Sequence, residues 1–209
     1  MAPKSDAVRK GPTEAIDCWP VSSYALQKII VRAIEEIGLV DSEDTINAEG
    51  IIKEIKKAGI RFVIALPDRT TTQSLLKTIM QDSDLRVVQV CKEDEGISIC
   101  SGLYCAGERA LLLIQYTGLL DSINALRGVA MEGKNPVCMM VGLLGKKPGV
   151  PPTNAARYGL RIVEPILDAM EIKHHLLETT EDNAKIVPAI EQAYARSGPV
   201  VMLIGREPL

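Results

Sequence analysis

Beyond residue 44 the apolar positions alternate between two rhythms. Segments with apolar residues three and four apart, over 45–58, 72–80, 93–106, 119–131, 160–170 and 182–196, predict helices. Between them lie short runs that are apolar at most positions, at 61–66, 85–90, 110–114, 137–141, 174–177 and 200–204. A strand that is apolar on both faces must be covered on both, and strands separated by helices pair in parallel. The pattern therefore predicts an α/β fold, an open, doubly wound, mostly parallel sheet of about six strands with helices on both faces. Ligands of such sheets bind at the carboxyl ends of the strands. The exits to inspect are 67–69, 91–95, 115–118 and 142–158.

Residues 1–44 follow another pattern. Pro3, Gly11, Pro12 and Pro20 stand among charges, and this stretch reads as an N-terminal extension. Within it a helix is expected at 22–37, because Ala25, Ile29, Ile30, Ala33, Ile34 and Ile37 recur at helical spacing behind a serine cap and before Gly38. The expected organisation is an extension at 1–44 followed by one globular domain at 45–209.

Composition narrows the function classes. The 209 residues are 46% apolar and 24% charged, as in ordinary globular proteins, but only 3% aromatic. Aromatic platforms for stacking bases are scarce, the net charge is −3, and no basic run is longer than a pair such as Lys146-Lys147, so nucleic acid is not an expected partner. Five cysteines without a C-x-x-C pair, and two histidines that adjoin at 174 and 175, give no metal-ligating or disulfide pattern. No apolar run approaches membrane-spanning length, and the N-terminus has no secretory apolar core, so a cytoplasmic protein is expected.

Two exits carry candidate chemistry. The first reads KEDEGISICSG over 92–102, three acids followed by small residues. Acids in a first helical turn complement the helix dipole. The glycines that follow, however, each cost about 1 kcal/mol relative to alanine, a cost accepted where another backbone or a cofactor approaches closely. The second exit reads QYTGLLDSINALRG over 115–128 and gathers Gln115, Thr117, Asp121 and Asn124 beside a glycine turn.

Together these segments resemble the pyrimidine-binding domain of thiamine diphosphate enzymes, in particular the group of sulfopyruvate and phosphonopyruvate decarboxylases. The resemblance covers about 45–205 and includes Leu66-Pro67-Asp68, Tyr158-Gly159 and Gly198-Pro199-Val200-Val201. It implies thiamine diphosphate as cofactor and selects one acid. The activating glutamate of these enzymes commonly stands nine residues before the glycine of the small-residue helix, as Glu93 does before Gly102. In that role a carboxylic acid hydrogen-bonds N1′ of the aminopyrimidine and favours its imino tautomer. By the same resemblance Pro67, Asp68, Gln115, Thr117, Gly118 and Asn124 line the cofactor site. Asp121 stands where these decarboxylases more often carry Asn.

The family anchors the cofactor diphosphate through Mg²⁺ held by a Gly-Asp-Gly motif, and this sequence contains no Asp-Gly pair. The resemblance thus implies a diphosphate-binding beta subunit that carries Gly-Asp-Gly and the Mg²⁺, a site shared between chains, and a second copy of this chain in the assembly. The substrate it implies is a small anionic 2-oxo acid, with Asp68, Lys146, Lys147, Asn154 and Arg157 as candidates to meet it. A carboligase subunit using the same cofactor, and a non-catalytic scaffold subunit retaining the fold, remain open alternatives.

Overall fold

The computed structural model of the chain describes residues 45–209; the extension at 1–44, with its expected helix at 22–37, lies outside the described residues. The strands are β1 (Phe62–Ala65), β2 (Arg86–Gln89), β3 (Ala110–Gln115), β4 (Cys138–Gly142), β5 (Lys173–Leu177) and β6 (Val200–Ile204). They form one sheet in the order β2-β1-β3-β4-β6-β5, and every pairing is parallel. The chain moves outward from β1 to β2, returns past it to β3, and then builds toward the other edge. The order reverses between β1 and β3, the crevice in which doubly wound sheets bind ligands.

Alternation along the central strands explains their unbroken apolar runs. Leu111 and Leu113 face one core with Val63, Met140 and Met202, whereas Leu112 and Ile114 face the other with Ile64, Met139 and Leu203. The first face is covered by α1 (Ala48–Lys57), α2 (Lys77–Gln81, preceded by a π-helical turn at Thr72–Leu76) and α7 (Ile186–Arg196). On the second lie α3 (Glu93–Cys105), α4 (Tyr116–Asp121), the one-turn α5 (Ile123–Ala125) with its π-helical continuation Leu126–Glu132, and α6 (Tyr158–Ala169).

Local chemistry sets the helix ends. Asn47 caps α1 by accepting from the Gly50 N–H. Thr179 and Asp182 form a capping box for the 3₁₀ turn Thr180–Lys185 that leads into α7. The helix expected at 119–131 begins earlier, at Tyr116, and breaks at Ser122 (φ −94°, ψ 8°), where the backbone turns before π-helical winding resumes. The ends of the described unit meet: the Ala48 N–H donates to the Leu209 carbonyl at 2.9 Å, and the Leu209 N–H to Ile46 at 3.0 Å. Among the described residues no helix is long and apolar enough to cross a membrane.

Candidate active site

The three acids at the β2 exit separate on geometry. Lys92, extended at φ −139° and ψ 145°, precedes α3, and Glu93, Asp94 and Glu95 occupy its first turn, where the dipole favours negative charge. Asp94 stays local, accepting from the Glu95 N–H at 2.9 Å and facing Lys92 Nζ at 3.4 Å. Glu95 turns back to accept from the Cys91 N–H at 3.3 Å. Glu93 does neither: among the described residues no group hydrogen-bonds its carboxylate, which lies across Gly118 in α4. A β-carbon at Gly118 would overlap the Oε1, Cδ and Cγ atoms of Glu93. The two exits that resemble the family's motifs are thus in contact.

The glycines of α3 have two functions. A β-carbon at Gly96 would fall 2.4 Å from Leu112 Cδ1, so this glycine lets the helix settle on the sheet. Among the described residues nothing lies within 4 Å of a β-carbon placed at Gly102, and the helix surface there is exposed. Packing among the described residues accounts for the first glycine and not for the second.

Around Gly118, the Thr117 hydroxyl donates to Gln115 Oε1 at 3.0 Å, so these two candidates form one polar pair at the β3 exit. Tyr116 between them is buried, with its ring against Gly159, where a β-carbon would lie 2.8 Å from Cε2. Asn124 stands further along, exposed, and its Oδ1 accepts from Arg127 Nε at 3.3 Å and Nη2 at 3.0 Å.

Pro67 is exposed at the β1 exit, and Asp68 shapes the turn that follows. Its carboxylate accepts from the Thr70 and Thr71 N–H groups and from the Thr71 hydroxyl. This turn leans across the end of β3 to β4, bringing Asp68 Oδ1 to 3.2 Å from where Gly142 would carry a β-carbon. Burial, and then the charge of Asp68, raise the carboxyl pKa of Glu207, which follows β6. Glu207 was not among the residues singled out from the sequence, and Gly142 entered only as the first residue of the 142–158 exit. The strand-exit rule applied to β6 would have reached Glu207, since it lies three residues beyond Ile204.

The loop after β4 divides its candidates. Lys147, Asn154 and Arg157 are exposed, with Arg157 laid over Gly145, whose φ of +85° suits glycine. Lys146 is placed otherwise than its neighbours and than expected: its side chain is 0% exposed and ion-paired with Glu178, so its charge faces inward rather than toward a substrate. His174 and His175 lie on β5, and no group of three or more His, Cys, Asp or Glu among the described residues is arranged to hold a metal ion.

No protein-family model matches the chain. Individual relatives do. The sulfopyruvate decarboxylase alpha subunit of Methanococcus maripaludis is 32% identical over 98 residues, 47% of this chain and 58% of that one. Its counterpart in Methanocaldococcus jannaschii is 28% identical over 154 residues, 73% of this chain and 89% of that one. A sulfopyruvate decarboxylase of Methanosarcina acetivorans is 29% identical over 159 residues, 75% of this chain but 39% of that longer one. The match thus spans little more than half of the first relative and most of the second. In sequence, then, the chain is similar to the sulfopyruvate decarboxylase alpha subunits.

Proposed function

We propose that this chain is the pyrimidine-binding alpha subunit of a two-component, thiamine diphosphate-dependent decarboxylase that releases CO₂ from a small anionic 2-oxo acid, with 3-sulfopyruvate as the favoured substrate. The observation that carries this reading is the contact between Glu93 and Gly118. A carboxylate engaged by no other described group, resting on a glycine floor at a strand exit, suits a hydrogen bond to a flat heterocycle. The names of the relatives support decarboxylation and a sulfonated substrate.

The bound cofactor supplies the carbanion chemistry. In this reading Glu93 holds the proton at N1′ of the aminopyrimidine, and the N-terminus of α3 keeps the carboxylate in place. Gly118 leaves room for that carboxylate, while the Gln115–Thr117 pair, Pro67, Asp68 and Asn124 border the cofactor and the reacting end of the substrate. Exposed Lys147, Asn154 and Arg157 meet its anionic group. In this reading Mg²⁺ and the diphosphate are held by a partner chain with Gly-Asp-Gly, a motif that these 209 residues do not contain. That more than half of the Methanosarcina acetivorans relative lies outside the match agrees with such a division. The open surface at Gly102 suits the partner's approach, and the assembly, cytoplasmic and holding a second copy of this chain, needs no membrane.

The test is co-expression with a Gly-Asp-Gly chain, then assay of CO₂ release from 3-sulfopyruvate and 3-phosphonopyruvate with thiamine diphosphate and Mg²⁺. Glu93→Gln should lower turnover by about 10²- to 10⁴-fold, the range for a lost acid–base group. Full activity in that variant would remove Glu93 from the chemistry, and tight cofactor binding by the isolated chain would refute the shared site.

A further inference from the structure

A charged pair is buried where the loop after β4 begins. The ammonium of Lys146, on a side chain with no exposed surface, is ion-paired with Glu178, itself 17% exposed at the end of β5. The same Nζ donates to the Lys147 carbonyl at 3.1 Å, an oxygen that also accepts from the Val150 N–H at 3.2 Å. Glu178 is held in turn, its N–H donating to Asp182 Oδ2 at 2.8 Å and its side chain lying over Gly205, where a β-carbon would stand 2.8 Å from Cγ.

As a source of stability such a pair is poor, because withdrawing two charges from water offsets most of their attraction, and an apolar pair of equal volume serves as well. What a charged pair adds is direction: only one loop geometry satisfies both ends. The incoming limb is already guided, since the Leu143 N–H donates to Ile204 at 3.0 Å and the Lys146 N–H to Leu143 at 3.0 Å. The returning limb closes on it through Arg157, whose guanidinium covers Gly145 and donates to the Leu144 carbonyl at 3.5 Å. Gly159 then seats against Tyr116, two residues from the glycine that carries Glu93. From Glu178 to Glu93 the elements along the carboxyl rim are linked by contact.

We propose that Lys146 is a positioning residue: by joining Glu178 to the backbone of Lys147 it fixes residues 143–157 in the arrangement that presents Lys147 and Arg157 to the anionic group of the substrate. The assignment of this loop to the substrate rests on the function proposed above, whereas the fixing of the loop does not.

Two measurements on Lys146→Met separate these parts. Hydrogen exchange on the full chain should show the Val150 amide losing at least tenfold in protection, while amides of β3 and β4 are unchanged. In the co-expressed complex, KM for 3-sulfopyruvate should rise about tenfold with kcat held within twofold. Unchanged protection at Val150 would overturn the positioning role, as would a fall in kcat at constant KM. A loosened loop with constant KM would overturn the presentation of the loop to substrate and leave the clasp standing. Should Lys146→Met not fold, Glu178→Gln, which keeps an oxygen acceptor but removes the charge, is read in the same way and should give a smaller shift of the same sign.

Discussion

The carboxylate of Glu93 lies across the α-carbon of Gly118, filling the space that the β-carbon of any other residue would need. One residue begins α3 and the other lies in α4, so a relationship between two strand exits depends on a missing methyl group.

Gly118→Ala should therefore act on Glu93 before it acts on the fold. The added methyl must push the carboxylate aside, and a misplacement of about 1 Å in a reacting group can cost about a hundredfold in rate. Overpacking should lower stability by roughly 1–3 kcal/mol. Steady-state assay of the complex together with thermal unfolding checks both. Wild-type turnover in a folded variant would mean that the position of Glu93 does not matter.

Gly102→Ala should do the opposite. With no described residue within 4 Å of the new methyl, the isolated chain should gain about 0.5–1 kcal/mol from the better helix former, seen as a higher melting temperature. Affinity for the diphosphate-binding partner proposed above should fall, as titration calorimetry would show. A more stable chain that still associates normally would place the interface elsewhere.

His175 gives the fold a pH dependence of predictable sign. Burial first, then the nearby charges of Lys185, His174 and Arg196, lower its pKa from 6.5, so the unfolded chain binds a proton that the folded chain resists. Stability should fall as pH drops below about 6.5, by no more than about 1.4 kcal/mol per pH unit. Denaturant melts from pH 8 to 5 should show this slope, and His175→Gln should flatten it.

Thiol labelling should divide the cysteines of the described region into two pairs. Cys91 and Cys105 are exposed. Cys100 and Cys138 are buried, and burial pushes both thiols up, that of Cys138 to about 12, which leaves almost no thiolate to react. A thiol-specific chromophore should modify the first pair within minutes and the second only in denaturant. Fast labelling of Cys138 would contradict the packing of β4.

Much of this was legible in the chain, for physical reasons. All six strands stand near their expected bounds; for the central ones the reason is that a strand buried on both faces must be apolar, as Ala110–Gln115 nearly is, whereas β2 at the sheet edge is mostly exposed. Helix details were less legible. Nothing in the run from 119 to 131 announces the break at Ser122 or the π-helical winding after it, which depend on how the segment packs against α3 and the sheet. The three acids could be ranked in sequence only by a borrowed spacing, whereas their hydrogen bonds distinguish them directly. Lys146 shows the limit most clearly, since its partner lies thirty-two positions away and a loop lysine carries no sign of facing inward.

The hydrogen bonds that join Leu209 to Ile46 and Ala48 bear on where a further domain could be attached as well as on stability. Thr45 and Asn47 both meet Thr180, just past the end of β5, and Leu209 follows β6, so entry and exit of the described unit share the rim on which Glu93 stands. A neighbouring domain joined by a short linker at either end would start out from that rim. Fusing another domain at either end would then ask no change of architecture from this unit.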